Sequence, residues 1–286
     1  MKPSLPPMRK LTIPPGPPPG APPSFRVPKI QRGALTSKPA PRILLYAVEG
    51  WGKTTLAAHA PDPIILMAPG EDGYLTLLGQ GRVPEVARAE IGSWREALGL
   101  LDYLIQQPDE CRTVVLDGLA GFEALCQRKV CEEDYGGEWG EKGFAAYGRG
   151  YDASAREWIL LLERLDRLRQ TGKHVVLLAH TEIRTFSNPT GPDFDQYTTN
   201  LHRKTWSATK PWPDMILFGS TVTVVAKEKG GGKAKAVGGT DRILYTSLTD
   251  GYYAKNRHGL PSEILMPADP SQLWETLRSE MEGGQS

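Results

Sequence analysis

The sequence predicts an α/β protein with a mostly parallel central sheet, flanking helices and a C-terminal β-hairpin extension. Three features support this prediction: short, continuously apolar segments of strand length, amphipathic segments between them, and a glycine-rich turn after the first strand. Helices on both faces of a parallel sheet leave its strands apolar throughout, whereas a half-exposed strand alternates. The pattern of continuously apolar and amphipathic segments therefore predicts the fold class.

Length and composition limit the possible classes of protein. The 286 residues suit one sizeable domain with appendages, and the net charge of +1 means that any nucleic-acid partner needs a local basic patch. The spacing of Cys111, Cys126 and Cys131 argues against a disulfide framework and against a zinc site. The start lacks the apolar run of a signal peptide, and no 18 consecutive residues are apolar. We therefore expect a cytoplasmic protein that does not span a membrane.

Proline content sets the first predicted boundary. Residues 1–41 hold 13 of the 25 prolines, which excludes helix and interior strand and predicts a disordered or polyproline-II tail. This tail is a spacer or a ligand for a proline-reading partner. We expect the folded domain over residues 42–266, and a C-terminal helix and tail over 267–286.

The elements of the domain follow in order. Buried strands are predicted, from their apolar runs, at 43–47, 64–67, 113–117, 174–179 and 215–218. Helices are predicted at 53–60, at 93–106 behind a capping box of Ser93 and Glu96, at 153–170 and at 271–281. Two further strands, near 221–227 and 242–248, enclose a Gly- and Lys-rich tip and form the hairpin at about 220–248.

The turn after the first strand matches the phosphate-binding loop pattern G-x-x-x-x-G-K-[ST], with alanine at the first position. The glycines let backbone N–H groups turn around phosphate oxygens, the lysine reaches the β- and γ-phosphates, and the first threonine offers its hydroxyl to Mg²⁺. The preceding strand and following helix fit this motif, and no N-K-x-D guanine signature is present, which favours Mg-ATP. The predicted nucleotide-binding residues are Ala47, Val48, Glu49, Gly50, Trp51, Gly52, Lys53, Thr54 and Thr55.

Acids at two strand ends are candidates for the metal and the attacking water. Asp117 ends the third predicted strand, where P-loop proteins place the aspartate that supports Mg²⁺ together with Thr54. The next residue is Gly118, whereas a glutamate there is typical of the AAA+ class, so we expect the catalytic acid elsewhere. Glu71, after the second strand, is the candidate for orienting water, with Asp72 as the alternative.

A local basic segment is the candidate DNA-binding surface. Within residues 200–240, only Asp214 and Glu228 oppose seven cations: Arg203, Lys204, Lys210, Lys227, Lys229, Lys233 and Lys235. The interleaved aromatic residues Tyr197, Trp206 and Trp212 suit base stacking. Two segments without strong periodicity are predicted as long, functional loops: 185–212, and 135–151 with Trp139, Lys142, Phe144, Tyr147 and Arg149.

The order of these parts resembles the RecA-like P-loop ATPases, and more narrowly the phage-encoded Sak-type proteins of single-strand annealing. The resemblance covers about residues 33–266. It rests on the P-loop, Glu71-Asp72-Gly73, the strand ending in Asp117, the strand ending Leu178-Ala179-His180, and the segment Ala254-Lys255-Asn256-Arg257-His258-Gly259.

The resemblance implies further roles and partners. His180 matches a residue that senses the γ-phosphate, and Lys255 and Arg257 match cations that reach the nucleotide of a neighbouring subunit. It further implies a homo-oligomer with ATP at the subunit interface that acts on single-stranded DNA in recombination, annealing or repair. The predicted loops 135–151 and 185–212 match the places of the DNA-binding loops in RecA-like proteins. A single-strand-binding protein or another recombination partner, and a bacterial host cytoplasm if the chain is phage-encoded, fit the same resemblance.

Two other functions remain open at this point. The Pro-rich tail fits a nucleotide-dependent switch or assembly protein with a protein partner. Lys255 and Arg257 fit a helicase-like motor, although the sequence has no separate domain for unwinding.

Overall fold

The computed structural model describes residues 40–226 and 235–283. The strands are β1 (Arg42–Ala47), β2 (Pro63–Met67), β3 (Ala87–Glu90), β4 (Thr113–Asp117), β5 (His174–Phe186), β6 (Phe194–Thr199), β7 (Met215–Ala226), β8 (Lys235–Tyr245), β9 (Lys255–Asn256) and β10 (Glu263–Met266). The helices are α1 (Lys53–Ala58), α2 (Gly73–Gly79), α3 (Trp94–Gln106), α4 (Leu119–Tyr135), α5 (Arg149–Gln170), α6 (Arg203–Thr209) and α7 (Leu273–Gly283).

One sheet organises these elements, in the strand order β10-β8-β7-β1-β5-β4-β2-β3. The strands from β7 to β3 along this order are parallel, while β8 and β10 add an antiparallel edge. Off this path, β6 pairs with the extension of β5, and β9 pairs with the start of β7. The predicted fold class, a mostly parallel sheet flanked by helices, is confirmed.

The central strand β1 shows why the apolar runs form this sheet. Successive side chains of a strand point to opposite faces, and both faces here are covered. Ile43 and Leu45 pack in the cluster that contains residues of α1, α2 and α7. Leu44 and Tyr46 pack in the cluster that contains residues of α3, α4 and α5. A continuous apolar strand is therefore buried on both sides.

The parallel register brings the strand ends together at one edge. Ala47, the last residue of β1, pairs with His180 on one side and Gly219 on the other. Asp117, the last residue of β4, pairs with Met67 of β2. The turns that follow β1, β2 and β4 therefore lie side by side at the carboxyl edge of the sheet, where ligands of open α/β sheets bind.

Helix α3 begins where it was predicted, with half of the capping box formed, whereas the start of α5 differs from prediction. In the predicted capping box, Ser93 Oγ accepts a hydrogen bond from the Glu96 N–H at 3.2 Å, but the Glu96 carboxylate accepts from Gly92 rather than from Ser93. Helix α5 begins at Arg149 instead of residue 153, directly after Gly148, whose φ of 72° ends the preceding turn. The apolar periodicity does not extend into this first turn.

The hairpin also differs from prediction. The predicted fifth strand and the first hairpin strand form one continuous strand, β7, with a register shift between Thr221 and Thr223. The two residues between the predicted strands, Gly219 and Ser220, pair with Leu244 and Ile243 of β8, so the strand continues through them. The second hairpin strand ends at Tyr245 instead of residue 248.

The predicted loop 185–212 is wrong. It contains the end of β5, strand β6 and helix α6, because β5 continues past the sheet edge and pairs with β6 as an antiparallel hairpin. The predicted loop 135–151 is shorter, since α4 and α5 enclose it on both sides. Residues 1–39 of the predicted tail and the hairpin tip at 227–234 lie outside the described residues.

Candidate nucleotide-binding site

The turn from β1 to α1 has the backbone of a phosphate-binding loop. Gly50 and Gly52 have φ values of 73° and 109°, in the left-handed region of backbone conformation that residues other than glycine rarely adopt. The Val48 N–H donates to the Gly219 carbonyl at 3.0 Å, which ties the loop to β7. The loop borders a cleft of about 270 Å³. The glycine pattern read from the sequence thus corresponds to backbone that requires glycine.

Lys53 lies within this cleft. Its Nζ donates to the Ala47 carbonyl at 3.0 Å, across the loop. Burial lowers the pKa of the Lys53 ammonium, while the carboxylates of Asp117 and Glu71 act in the opposite direction. The Lys53 ammonium donates to a neutral carbonyl oxygen and has carboxylates nearby, so it can exchange the carbonyl for a phosphate bound in the loop.

Asp117 and Thr54 meet across the cleft. The Thr54 hydroxyl donates to Asp117 Oδ2 at 3.1 Å, and Asp117 is buried. Burial, with the charge of Glu71 nearby, raises the pKa of Asp117 to about 6. A hydroxyl and a carboxylate side by side are hard oxygen donors of the kind that Mg²⁺ binds next to a phosphate. These two residues therefore fit a magnesium ion.

Glu71 and His180 form a second polar pair in the same cleft. His180 Nε2 lies 3.1 Å from Glu71 Oε1. This hydrogen bond raises the pKa of His180 and lowers the pKa of Glu71. Asp72, the alternative acid, borders a neighbouring groove together with Glu90 and Glu96, whereas the residues lining the P-loop cleft include Glu71 and not Asp72.

The Glu71 side chain packs against the backbone of Gly118. The φ of Gly118 is 81°, and a Cβ atom at this position would lie 2.1 Å from Glu71 Cγ. Only glycine leaves the Glu71 side chain in its present place. The glycine after Asp117 therefore makes room for the Glu71 side chain. Glu71 follows β2, which lies next to β4 in the sheet.

Trp51 and Arg242 connect the P-loop to the β7–β8 hairpin. Trp51 is fully buried, and its indole N–H donates to the Ile243 carbonyl at 3.1 Å. Arg242 Nε donates to the Trp51 carbonyl at 2.7 Å, and its NH1 group donates to the Ala268 carbonyl at 3.0 Å. Arg242 also lines the cleft, a role that sequence reasoning missed because the residue lies far along the chain.

Lys255 and Arg257 lie away from this cleft. β9 pairs with Met215 and Ile216 at the amino edge of the parallel strands, whereas Gly219, which pairs with Ala47 before the P-loop, lies at their carboxyl edge. Lys255 Nζ donates to the Pro211 carbonyl at 2.9 Å. Arg257 lies 3.9 Å from Asp214, and 56% of its side chain is exposed. The structure does not bring these cations to the nucleotide site of their own chain, and their action on a neighbour stays a prediction.

The predicted DNA-binding residues divide into exposed and packed sets. Trp139 is 48% exposed and Tyr147 is 99% exposed, whereas Phe144 is buried between them in sequence. Lys204 forms an ion pair with Asp152 at 2.5 Å, and Arg203 is exposed. The predicted stacking residues instead pack against the core: Tyr197, Trp206 and Trp212.

Some of the predicted cations cannot be placed at a surface. Lys210 Nζ lies 4.0 Å from the centroid of the Tyr253 ring, so it already has a partner within the chain. Lys227, Lys229 and Lys233, and the side chain of Lys235, lie outside the described part of the chain.

Comparison with known proteins gives the family. A family model described as an AAA domain matches residues 40–258, which is more than half of the chain and includes the P-loop. No curated protein matches. Within the described ranges, no helix is long and apolar enough to cross a membrane. The family match therefore shows that the protein belongs to the AAA domain family of P-loop ATPases.

Proposed function

We propose that the protein hydrolyses Mg-ATP and couples hydrolysis to the handling of single-stranded DNA in recombination, annealing or repair. The observation that supports hydrolysis is the convergence of a P-loop lysine, a Thr54–Asp117 pair and a Glu71–His180 pair on one cleft. A site that only bound nucleotide would not need the second pair. The family match supports the nucleotide-binding ATPase part of this proposal.

Each residue has a role in the proposed reaction. Lys53 exchanges the Ala47 carbonyl for the β- and γ-phosphates. Thr54 and Asp117 would hold Mg²⁺, which would supply positive charge beside the phosphates. Glu71, whose pKa is lowered by its hydrogen bond to His180, accepts a hydrogen bond from the attacking water and orients it. His180 positions Glu71 and senses the γ-phosphate.

The DNA surface is proposed on the carboxyl edge of the sheet. His180 lines the cleft, and its carbonyl accepts a hydrogen bond from Asn200 at 3.1 Å. Two residues later, His202 stacks on Tyr151, with ring centroids 4.1 Å apart. The loop that contains Tyr147 ends at Gly148, three residues before Tyr151, so Tyr151 and His202 link this loop to the segment that follows Asn200.

Tyr147 is the residue on which this surface depends most. Its side chain is 99% exposed, and its φ of 49° is unusual for a bulky residue. Close packing holds this backbone, because a Cβ on Gly150 would lie 2.4 Å from the Phe144 ring. An aromatic ring presented to solvent by a packed turn suits base stacking, which contributes about 1–3 kcal/mol per base. Phe186, 49% exposed on the β5–β6 hairpin, adds a second ring.

Oligomerisation completes the proposal. Lys255 and Arg257 contact the nucleotide of a neighbouring copy, so ATP lies at the interface of a homo-oligomer, and the partner on DNA is a single-strand-binding or other recombination protein. Positive charge placed on the transferring phosphoryl group stabilises the transition state strongly, so assembly of the oligomer would control turnover.

The test is steady-state ATP hydrolysis with and without single-stranded DNA at two salt concentrations. The proposal predicts stimulation by DNA that fades at high salt, because phosphate contacts release counterions. Tyr147→Ala should weaken DNA binding by about fivefold to a hundredfold. Tyr103→Ala, which removes a 48% exposed tyrosine from α3, is the matched control and should bind as wild type. Hydrolysis that ignores DNA would favour the nucleotide-dependent switch instead.

A further inference from the structure

Arg242 is an arginine of β8 whose side chain lies against the phosphate-binding loop. Its Nε donates to the Trp51 carbonyl at 2.7 Å, and its NH1 group donates to the Ala268 carbonyl at 3.0 Å. A Cβ atom built on Gly52, the residue before Lys53, would lie 3.8 Å from Arg242 Nε. The guanidinium is therefore fixed beside the P-loop by hydrogen bonds to two main-chain carbonyls.

Pro270 borders the same part of the cleft. Ala268, which accepts a hydrogen bond from Arg242, lies two residues before it, and both Arg242 and Pro270 line the cleft. Pro270 opens a short 3-10 turn that leads into α7. Leu273, at the start of α7, is buried, and its Cδ1 would lie 3.1 Å from a Cβ atom on Gly52. The segment that carries Pro270 is thus packed against the loop.

The terminal phosphates belong on the opposite side of the loop. In the sheet, β8 and β7 lie on one side of β1, whereas β5, β4 and β2 lie on the other. The Thr54–Asp117 pair fits the Mg²⁺ that bridges the β- and γ-phosphates, and Asp117 lies on β4. A triphosphate whose terminal end lies at Asp117 and whose chain passes over the loop therefore directs its nucleoside toward β8 and Arg242.

The chemistry at this end of the cleft suits a nucleoside. Arg242 uses two of its N–H groups on main-chain carbonyls, and these hydrogen bonds hold the plane of the guanidinium in place. A guanidinium plane stacks on aromatic rings, and the pyrrolidine ring of Pro270 adds an apolar surface. A planar cation and an apolar ring are contacts that a base can use and a phosphate does not need.

We propose that Arg242 and Pro270 form the nucleoside end of the site, where the guanidinium stacks on the base of a nucleoside triphosphate bound to the P-loop of the same chain. This inference rests on the proposed nucleotide site and adds two residues outside the motifs that define it. Its consequence is that Arg242 contributes to the binding of a nucleotide and not to the binding of an inorganic polyphosphate, which occupies the loop alone.

Calorimetric titration of ATP and of inorganic tripolyphosphate, both with Mg²⁺, separates the two ends of the site in wild type, Arg242→Ala and Arg242→Lys. Arg242→Ala should weaken ATP binding about threefold to thirtyfold, the range for a cation stacked on an aromatic ring, while tripolyphosphate affinity stays within about twofold. Arg242→Lys keeps the charge but not the plane, so it should recover only part of the ATP affinity.

Arg164→Ala is the matched control. Arg164 also donates to a main-chain carbonyl, that of Leu160 at 3.1 Å, but it lies on α5 and is not among the cleft residues. This variant should bind ATP and tripolyphosphate as wild type does.

Three results would overturn the assignment. It falls if Arg242→Ala binds ATP as wild type does, or if wild type binds tripolyphosphate as tightly as ATP. It also falls if Arg242→Ala weakens both ligands equally, because the hydrogen bond to Trp51 would then only support the loop. Lys53→Ala separates these failures from failure of the site, since it should weaken both ligands. If Lys53→Ala binds both as wild type does, the proposed nucleotide site fails first.

Discussion

Replacing Gly118 with alanine removes the space that Glu71 occupies. The new Cβ would lie 2.1 Å from Glu71 Cγ and 2.6 Å from Glu71 Oε1, so Glu71 has to move and its hydrogen bond to His180 is lost. The φ of 81° adds a backbone cost of about 1–2 kcal/mol. A misplaced general base costs about 10² to 10⁴ in rate, so we expect turnover to fall at least about a hundredfold.

ATP binding should change little in this variant, because Lys53, Thr54 and Asp117 keep their positions. The strain should lower the Tm by about 2–8 °C, given about 2–4 °C per kcal/mol for a chain of this size. Gly172→Ala is the matched control, since Gly172 has a φ of 91° and open space around its Cβ. It should lose similar stability and keep its turnover. Equal turnover in the Gly118 and Gly172 variants would refute the reasoning about Glu71.

Three further predictions follow from the same contacts. Burial raises the pKa of Asp117 to about 6, so its protonated carboxyl contributes stability at low pH that is lost as pH rises through 6. In thermal melting, Asp117→Asn should be more stable than wild type at pH 8 but not at pH 4. A difference in Tm that does not depend on pH would contradict this. Trp51→Phe removes the indole hydrogen bond to the Ile243 carbonyl and should destabilise the protein by about 1 kcal/mol or more in denaturant titration, whereas an unchanged midpoint would mean that the hairpin does not support the P-loop. Arg257→Ala should leave melting nearly unchanged, since the side chain is 56% exposed, yet lower turnover; if mixing it with Lys53→Ala protein never restores activity, the proposed action in trans loses its support.

The parts of the fold that sequence predicted are those fixed by local pattern. β1 and β4 are apolar runs buried on both faces, and the P-loop glycines have the positive φ values that the motif requires. Thr54 and Asp117 could be paired because the motif and the end of a parallel strand each specify one partner. In these cases a few neighbouring residues carry the whole signal.

Other elements could not be read because their reasons are tertiary. Helix α4 buries Glu123 and two cysteines on several sides, so no single apolar stripe marks it. Helix α2 begins and ends with glycine, which gives it low propensity. Gly219 and Ser220 separate the two strands predicted at 215–218 and 221–227, and pairing with β8 joins them into β7. Strand pairing and packing decide these elements.

The site residues that sequence missed are distant or lack a motif. Arg242 reaches the P-loop from β8, and Pro270 borders the cleft from the turn that precedes α7. Conversely, Trp206 and Trp212 look like stacking residues in the sequence but pack against the core. Composition suggests a surface, and only burial shows which aromatic rings are available.

The most direct test of the nucleotide site is calorimetric titration of ATP into wild type and Lys53→Ala, each with and without Mg²⁺. The geometry of Lys53, Thr54 and Asp117 predicts saturable, Mg²⁺-dependent binding in wild type. Lys53→Ala, which removes the P-loop cation, should lose most of that affinity while retaining its fold by circular dichroism. Equal ATP affinity in a folded Lys53→Ala protein would contradict the assignment of this cleft as the nucleotide site.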